Sequence, residues 1–248
     1  MKMSESTSLF DCHVPIWATE WGVDRYGIFA SFSVAGMEQR MRWIPPGQFM
    51  MGSPESEVGR WKEEGPQHPV VLTQGFWLGE VPVRQALWRA VMGNDPSMSA
   101  GDDIPIQASW DDCRYFIENV NDVRTGLSLR FPREHEWEYA CRASTAGPSW
   151  LGANTNSTLS RIAWYVENCR RLRPVGTKEA NPWGLYDMLG NVWEWCEDWY
   201  APYTAAPVVD PPLPESGSMR VVRGGGYEDS AHNLRAACRA GDLSSDWY

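Results

Sequence analysis

The sequence predicts a single α+β domain, and three observations carry that prediction. Short runs of alternating apolar residues are separated by turn formers. Helical periodicity with a cap signal occurs at only a few places. Tryptophan is unusually frequent: 248 residues contain 15 Trp beside 22 Gly and 18 Pro, which favours loops held by aromatic packing over a helical bundle. The length is enough to bury a full core.

The first element is a hairpin. "YGIFASFSV" (26–34) alternates, "GMEQ" (36–39) can turn, and "RMRWI" (40–44) returns. This hairpin falls mostly in residues 1–41, read as an N-terminal extension of the domain that spans 1–248. "PPGQFMMGSPESE" (45–57) follows as a strand broken by turn residues, and the charged stretch from Pro54 to Gln67 reads as an exposed loop. His68 falls at the end of that loop and is read as a loop residue. "PVVLTQGFWLGEVPV" (69–83) gives a strand, a break at Gly75 and a second short strand.

Three helices are predicted. The first runs from about Arg84 to Met92 and ends at Gly93, suited to a left-handed C-cap. The second has Ser109 as N-cap, Asp112 three residues on, and Cys113, Phe116, Ile117 and Val120 at helical spacing. The third, "REHEWEYACRA" (133–143), follows Pro132 and carries Glu134 and Glu136 in its first turn, where the helix dipole favours anions. Trp137, Ala140 and Cys141 form its buried face, which leaves His135 on the exposed one.

After Cys141 the stretch "ASTAGPSWLGANTNSTLS" (143–160) reads as irregular. "NPWGLYDMLGNVWEWCEDWY" (181–200) ends in a strand with Trp193 and Trp195 on one face. A proline-rich loop then leads to "RVVRGGGYEDSAHNLRAACRA" (220–240). No internal repeat and no linker divides the chain.

The formal charge of −10 argues against nucleic acid or an anionic membrane as partner, because phosphates require clustered Lys and Arg. No N-terminal apolar run is long enough for a signal peptide or a membrane span, so a cytoplasmic location is expected. The cysteines at 12, 113, 141, 169, 196 and 238 contain no CxxC pair and are expected to be reduced thiols.

Four blocks in order, "EGPQHPVVLTQGFWLGEVPVRQALWRAVMGNDPS", "FPREHEWEYACRAS", "NPWGLYDMLGNVWEWCEDWY" and "RVVRGGGYEDSAHNLRAACR", resemble the formylglycine-generating-enzyme, or sulfatase-modifying-factor, family. The resemblance covers roughly Arg42 to Arg239. It implies a variant of the C-type lectin fold, with short twisted antiparallel sheets, few helices and long ordered loops. Arg84 and Arg133 stand where the family commonly places a threonine N-cap, worth about 1 kcal/mol, so other contacts must close those helix ends. The family usually finishes with a further strand containing "GFR", expected here to be missing or altered.

The family's oxidases hold copper through two cysteines shortly after the "RGG" turn, soft donors for a soft ion. Here Glu228, Asp229 and Ser230 occupy the first of those places, and Cys238 comes late, so no copper is expected. Iron is not expected either, since no HExxH and no two-histidine-one-carboxylate set occurs. What remains resembles the variable proteins of diversity-generating retroelements, which keep the scaffold, lack the cysteines and rewrite the C-terminal segment. Between Gly226 and Tyr248 only Glu228 and Trp247 lie outside the residues that such rewriting of asparagine codons produces. Residues 220–248 are therefore expected to form a ligand-binding face for a protein or other macromolecule. Its residues would be Gly226, Tyr227, Glu228, Asp229, Ser230 and His232, then Cys238, Ala240 and Leu243, and finally Ser244, Ser245, Asp246, Trp247 and Tyr248. Rigid aromatics mixed with small hydrogen-bonding residues also characterise antibody paratopes. The rival expectation is an oxidoreductase of the same family acting on a peptide or a peptide-bound substrate.

"LGNVWEW" resembles the family's calcium-binding segment. The resemblance implies one structural Ca²⁺ held by the carbonyls of Leu189, Gly190 and Val192 and the Glu194 carboxylate, the oxygen donors that suit this ion. The family's other calcium segment is not recognisable in "RIAWYVENCRRLRPVG" (161–176).

Overall fold

A computed structural model describes residues 14–97 and 101–247. Cys12, His13 and Tyr248 lie outside the described residues. The first strands are β1 (Glu20–Asp24), β2 (Gly27–Val34), β3 (Met37–Ile44), β4 (Gly47–Met51), β5 (His68–Leu72) and β6 (Phe76–Gly79). Helices α1 (Gln85–Met92), α2 (Trp110–Val123), α3 (Glu134–Arg142) and α4 (Asn156–Ile162) follow. Strands β7 (Glu194–Trp199), β8 (Val208–Val209), β9 (Arg220–Arg223) and β10 (Arg239–Asp242) come last.

The elements form three small sheets, ordered β1-β2-β3-β6, β4-β5-β8 and β10-β9-β7. All the pairings are antiparallel except β5 with β8. This is an α+β architecture of the expected kind. The hairpin turn sits earlier than "GMEQ": Ala35 and Gly36 both have positive φ, 49° and 81°, as a two-residue type I′ turn requires. Met37, Glu38 and Gln39 accordingly belong to β3. Because β3 pairs with β6 from Met41 to Ile44, this strand is part of the main sheet and not of an extension.

Helices α1, α2 and α3 stand where capping and periodicity placed them. Ser109 Oγ accepts the Asp112 amide at 3.1 Å, and Gly93 ends α1 with φ 75°. At the arginine N-caps, other contacts take the place of a side-chain hydroxyl. At α1 the Gln85 and Ala86 amides donate to the carbonyls of Ile104 and Asp102. At α3 the Arg133 amide donates to Glu136 Oε2, and the Glu134 amide donates to Asp198 Oδ2 at 2.7 Å. Helix α4 was hidden in the stretch read as irregular. Its signals are short but present: Thr155 caps Thr158 N, and Leu159 and Ile162 are the buried faces.

One core gathers Ile44, Val70, Trp137, Leu159, Leu185 and Val221 under α3, and a second gathers Ala30, Phe32, Leu87, Trp88 and Phe116 between the first sheet and α1–α2. Both histidine placements are corrected. His135 is 5% exposed, and His68 is also 5% exposed and is the first residue of β5, with its ring against Tyr203. Among the described residues no helix is long and apolar enough to cross a membrane.

Candidate binding surface

The C-terminal segment is held by three buried arginines, each opposite glutamates from elsewhere in the chain. Arg223, fully buried at the end of β9, pairs with Glu138 of α3 and donates to the carbonyls of Ala237 and Cys238. Glu138 also takes the Arg142 guanidinium at 2.8 Å and the Gly52 amide at 2.8 Å. Arg235 grips Glu64, and Glu57 at 2.9 Å. Arg239 makes a two-pronged pair with Glu134, 2.6 and 2.7 Å, beneath the Tyr203 ring. Paired geometry of this kind offsets the cost of burying charge. The arginines hold the Glu64 and Glu134 carboxyls below their ordinary range although burial pushes the other way.

The exposed-loop reading of 54–67 holds for most of its residues, and Glu64 is the exception. Glu64 is fully buried because Arg235 draws it inward, and that loop is folded against the C-terminal segment. The Trp61 ring meets the His232 ring edge-on at 4.4 Å, and its Nε1 donates to Asn233 Oδ1.

Glycines set the geometry of the turn itself. Gly224 has φ 95° and an added Cβ would lie 3.1 Å from the Met188 carbonyl oxygen. Gly190 donates its amide to Gly224 O and has φ 80°; a Cβ there would lie 2.4 Å from the Trp164 carbonyl oxygen. Only glycine permits this approach. Further on, Tyr227 N donates to Asn191 O, tying the turn to the 187–192 loop.

The predicted face divides sharply. Glu228 and Ser230 are exposed, and Tyr227 and His232 half-buried, with Tyr227 Oη donating to Glu228. Asp229 is spent internally, since one oxygen takes the Gly226 amide and the other the Asn233 side-chain amide. Gly226 and Cys238 are buried, Cys238 to 2% exposure, so neither is displayed. Burial pushes the Cys238 thiol up to about 12.

Leu243, Ser244, Ser245, Asp246 and Trp247 lie elsewhere. Arg223 pairs with Arg239 and Arg220 with Asp242, so the turn is at one end of the β9–β10 hairpin and this tail leaves from the other. Four paired residues separate the ends by roughly 10 Å. The tail docks on the start of α2, where Ser244 Oγ donates to Asp111. Ala240 lies within β10, half-buried. The single face expected from the sequence is therefore two patches. The patch at the turn gains neighbours that sequence reasoning missed: Trp61, 46% exposed, and Val58, 92% exposed, on the same loop. Their signal was an aromatic and an aliphatic residue inside an otherwise charged loop.

Of the residues expected to hold calcium, Glu194 supplies the hard oxygen donor that such an ion takes. Glu194 is packed against Trp137, whose Nε1 donates to Oε2 at 3.2 Å, and among the described residues no salt bridge neutralises it. Burial, with the nearby Asp187 charge, pushes this carboxyl up to about 8. A divalent ion at the Leu189–Val192 carbonyls would reverse that. Near the turn, the Cys238 thiol is buried and Cys169 is half-buried.

Residues 29–246 match the family described as sulfatase-modifying factor enzyme 1-like domain. The chain belongs to this family. The match begins before Arg42, in keeping with the place of β2 and β3 in the main sheet. The formylglycine-generating enzyme of Streptomyces coelicolor is 30% identical over 183 residues, covering 66% of this chain and 55% of the enzyme. The inactive Cα-formylglycine-generating enzyme 2 of Bos taurus is 28% identical, covering 69% of this chain and 56% of that protein. The chain thus spans little more than half the length of either family member. Among solved structures, Treponema denticola variable protein 1 superposes with a TM-score of 0.78 at 27% identity, covering 89% of this chain and 95% of that one. The fold is therefore of the formylglycine-generating-enzyme, C-type-lectin-like kind.

Proposed function

We propose that the chain is a non-catalytic binding protein that presents the turn after Gly225 to a protein or other macromolecular ligand, in the manner of a diversity-generating-retroelement variable protein. One observation carries this reading: buried Arg223, Arg235 and Arg239 fix the backbone, while Tyr227, Glu228, Ser230 and His232 between them stay accessible beside Trp61. Substitution at the open positions leaves the anchors untouched. The resemblance to a protein named as variable supports the same reading.

A second reading, oxidation of a peptide or peptide-bound substrate, is favoured by the 30% identity to a formylglycine-generating enzyme. It would need a reactive thiol where Cys238 is buried. An assay with Cu(I), oxygen and a cysteine-containing peptide is expected to give no aldehyde. Aldehyde that disappears in Cys238→Ser would overturn the binding proposal. Conversely, a displayed library randomised at Tyr227, Glu228, Ser230 and His232 is expected to stay folded and yield binders.

One structural Ca²⁺ at Leu189, Gly190, Val192 and Glu194 belongs to the same proposal, holding the loop that receives Gly224 and Tyr227. Calcium at a hundredfold excess over its Kd contributes about 2.7 kcal/mol. At roughly 2–4 °C per kcal/mol for a chain of this size, Tm should rise by about 5–10 °C over EGTA. Glu194→Gln is expected to remove the rise; a rise that survives in the variant places the ion elsewhere.

A further inference from the structure

The turn after Gly225 lies between two loops of different character. On its His232 side stands the loop that carries Trp61 and Val58. On its Asp229 side stands the segment 161–178, whose Val166 amide donates to Asp229 O at 3.1 Å. Asn191 ties that segment to the turn a second time. Its carbonyl accepts the Tyr227 amide, and its side chain exchanges hydrogen bonds with the Arg173 backbone at 3.0 and 3.1 Å. Burial and then Glu228 raise the Tyr227 phenol, and Cys169 contributes, which puts the residue before Arg170 beside Tyr227.

The segment 161–178 reverses the sign of the chain. The formal charge is −10, yet this stretch holds five of the 22 Lys and Arg and a single acid, Glu167. Arg161 is paired with Glu179 at 2.8 Å. Arg170 and Arg171 are exposed. Arg173 and Lys178 are half-buried over the Trp164 ring, 4.9 and 3.7 Å from its centroid. Among the described residues none of these four cations forms a salt bridge. A cluster of one sign gathers partners of the other sign and turns away its own.

We infer that the ligand met by the turn is a protein with an acidic segment, which lies over Arg170, Arg171, Arg173 and Lys178 while apolar side chains of the ligand meet Trp61 and Val58. The inference rests on the reading of the turn as a binding face. Guanidinium forks suit carboxylates, which accept two parallel hydrogen bonds. A nucleic acid suits the surface less well, because four cations at one end of an apolar face do not make a stripe that follows a phosphate backbone. The cations stand outside residues 220–248. Substitution at the turn would therefore change the finer contacts and leave the preference for acidic partners in place.

Titration of the full chain with a fluorescein-labelled oligoglutamate, read by anisotropy, is expected to show saturable binding that weakens with salt. An oligoglutamine of equal length should not bind, and an oligothymidylate of equal charge should bind more weakly. Arg170→Gln and Arg171→Gln should each weaken oligoglutamate about threefold to fivefold. Arg114→Gln removes the same charge from the surface of α2 and should change the affinity by less than about twofold. Glu228→Gln should tighten binding about twofold, because this exposed acid borders the same path. Absence of saturable binding, insensitivity to Arg170 and Arg171, or an oligothymidylate bound as tightly would each overturn the inference. Selecting the displayed library against one acidic and one basic protein separates this inference from the reading beneath it. Binders mainly to the acidic protein are expected. Binders to both alike would overturn the acidic preference and leave the binding face standing; binders to neither would overturn the binding face and the inference with it.

Discussion

Arg223→Met is expected to lower unfolding stability by about 3–5 kcal/mol, the usual cost of breaking a buried ion pair from one side. Both Arg223 and Glu138 are fully buried. Removing the guanidinium leaves Glu138 with Arg142 and the Gly52 amide, and strips the Ala237 and Cys238 carbonyls of their donor. Methionine fills much of the volume, so the loss reports charge and hydrogen bonding more than a cavity. Urea unfolding measures it, and the double variant Arg223→Met with Glu138→Leu should lose more still, since it leaves buried Arg142 without its carboxylate and the Gly52 amide without its acceptor. Tyr227→Ala, by contrast, should change stability by less than 1 kcal/mol, as surface substitutions usually do. Equal losses at Arg223 and Tyr227 would remove the distinction between anchor and displayed residue.

That distinction was only half legible in the sequence. Arg223 and the Leu234–Ala237 run are buried anchors in the structure, but nothing local in the sequence says that Glu64, Glu134 and Glu138 are their partners. Glu134 looked like a dipole-stabilising residue at a helix start, and its ion pair with Arg239 joins positions more than a hundred residues apart. The same blindness hid the one buried member of the 54–67 loop: its charges suggest solvent until Arg235 is placed opposite Glu64. Helices α1, α2 and α3 were readable because cap, period and stop are local signals. Helix α4 has only two turns and a turn-rich composition, so its Leu159 and Ile162 carried too little pattern. Tail residues Leu243 to Trp247 seemed continuous with the turn because sequence proximity hides which end of a hairpin a residue leaves.

The pH dependence of stability should expose the capping of α3 by Asp198. This carboxyl accepts the Glu134 amide from a buried position on β7. Burial, and then the Glu134 charge, push it up from 3.8 to about 7, with Glu197 adding to the rise and Arg133 opposing it. Between those values the folded state keeps a proton that the unfolded chain has released. This contribution is therefore fully present below pH 3.8 and is lost as pH rises towards 7, by at most about 1.4 kcal/mol per unit. His135 acts in the opposite sense. Burial lowers it from 6.5 to about 4, so it costs stability as pH falls through that window. The two slopes oppose each other between pH 4 and 6.5, and wild-type protein alone would hide both. Asp198→Asn separates them, because asparagine can still accept the Glu134 amide while burying no charge. In EGTA, the stability of the variant minus that of wild type should be near zero at pH 4 and reach roughly 2–4 kcal/mol in favour of the variant at pH 8. Urea midpoints at pH 4, 5, 6.5 and 8 give the difference. A variant less stable than wild type at pH 8 would mean that the charged carboxylate strengthens the cap by more than its burial costs.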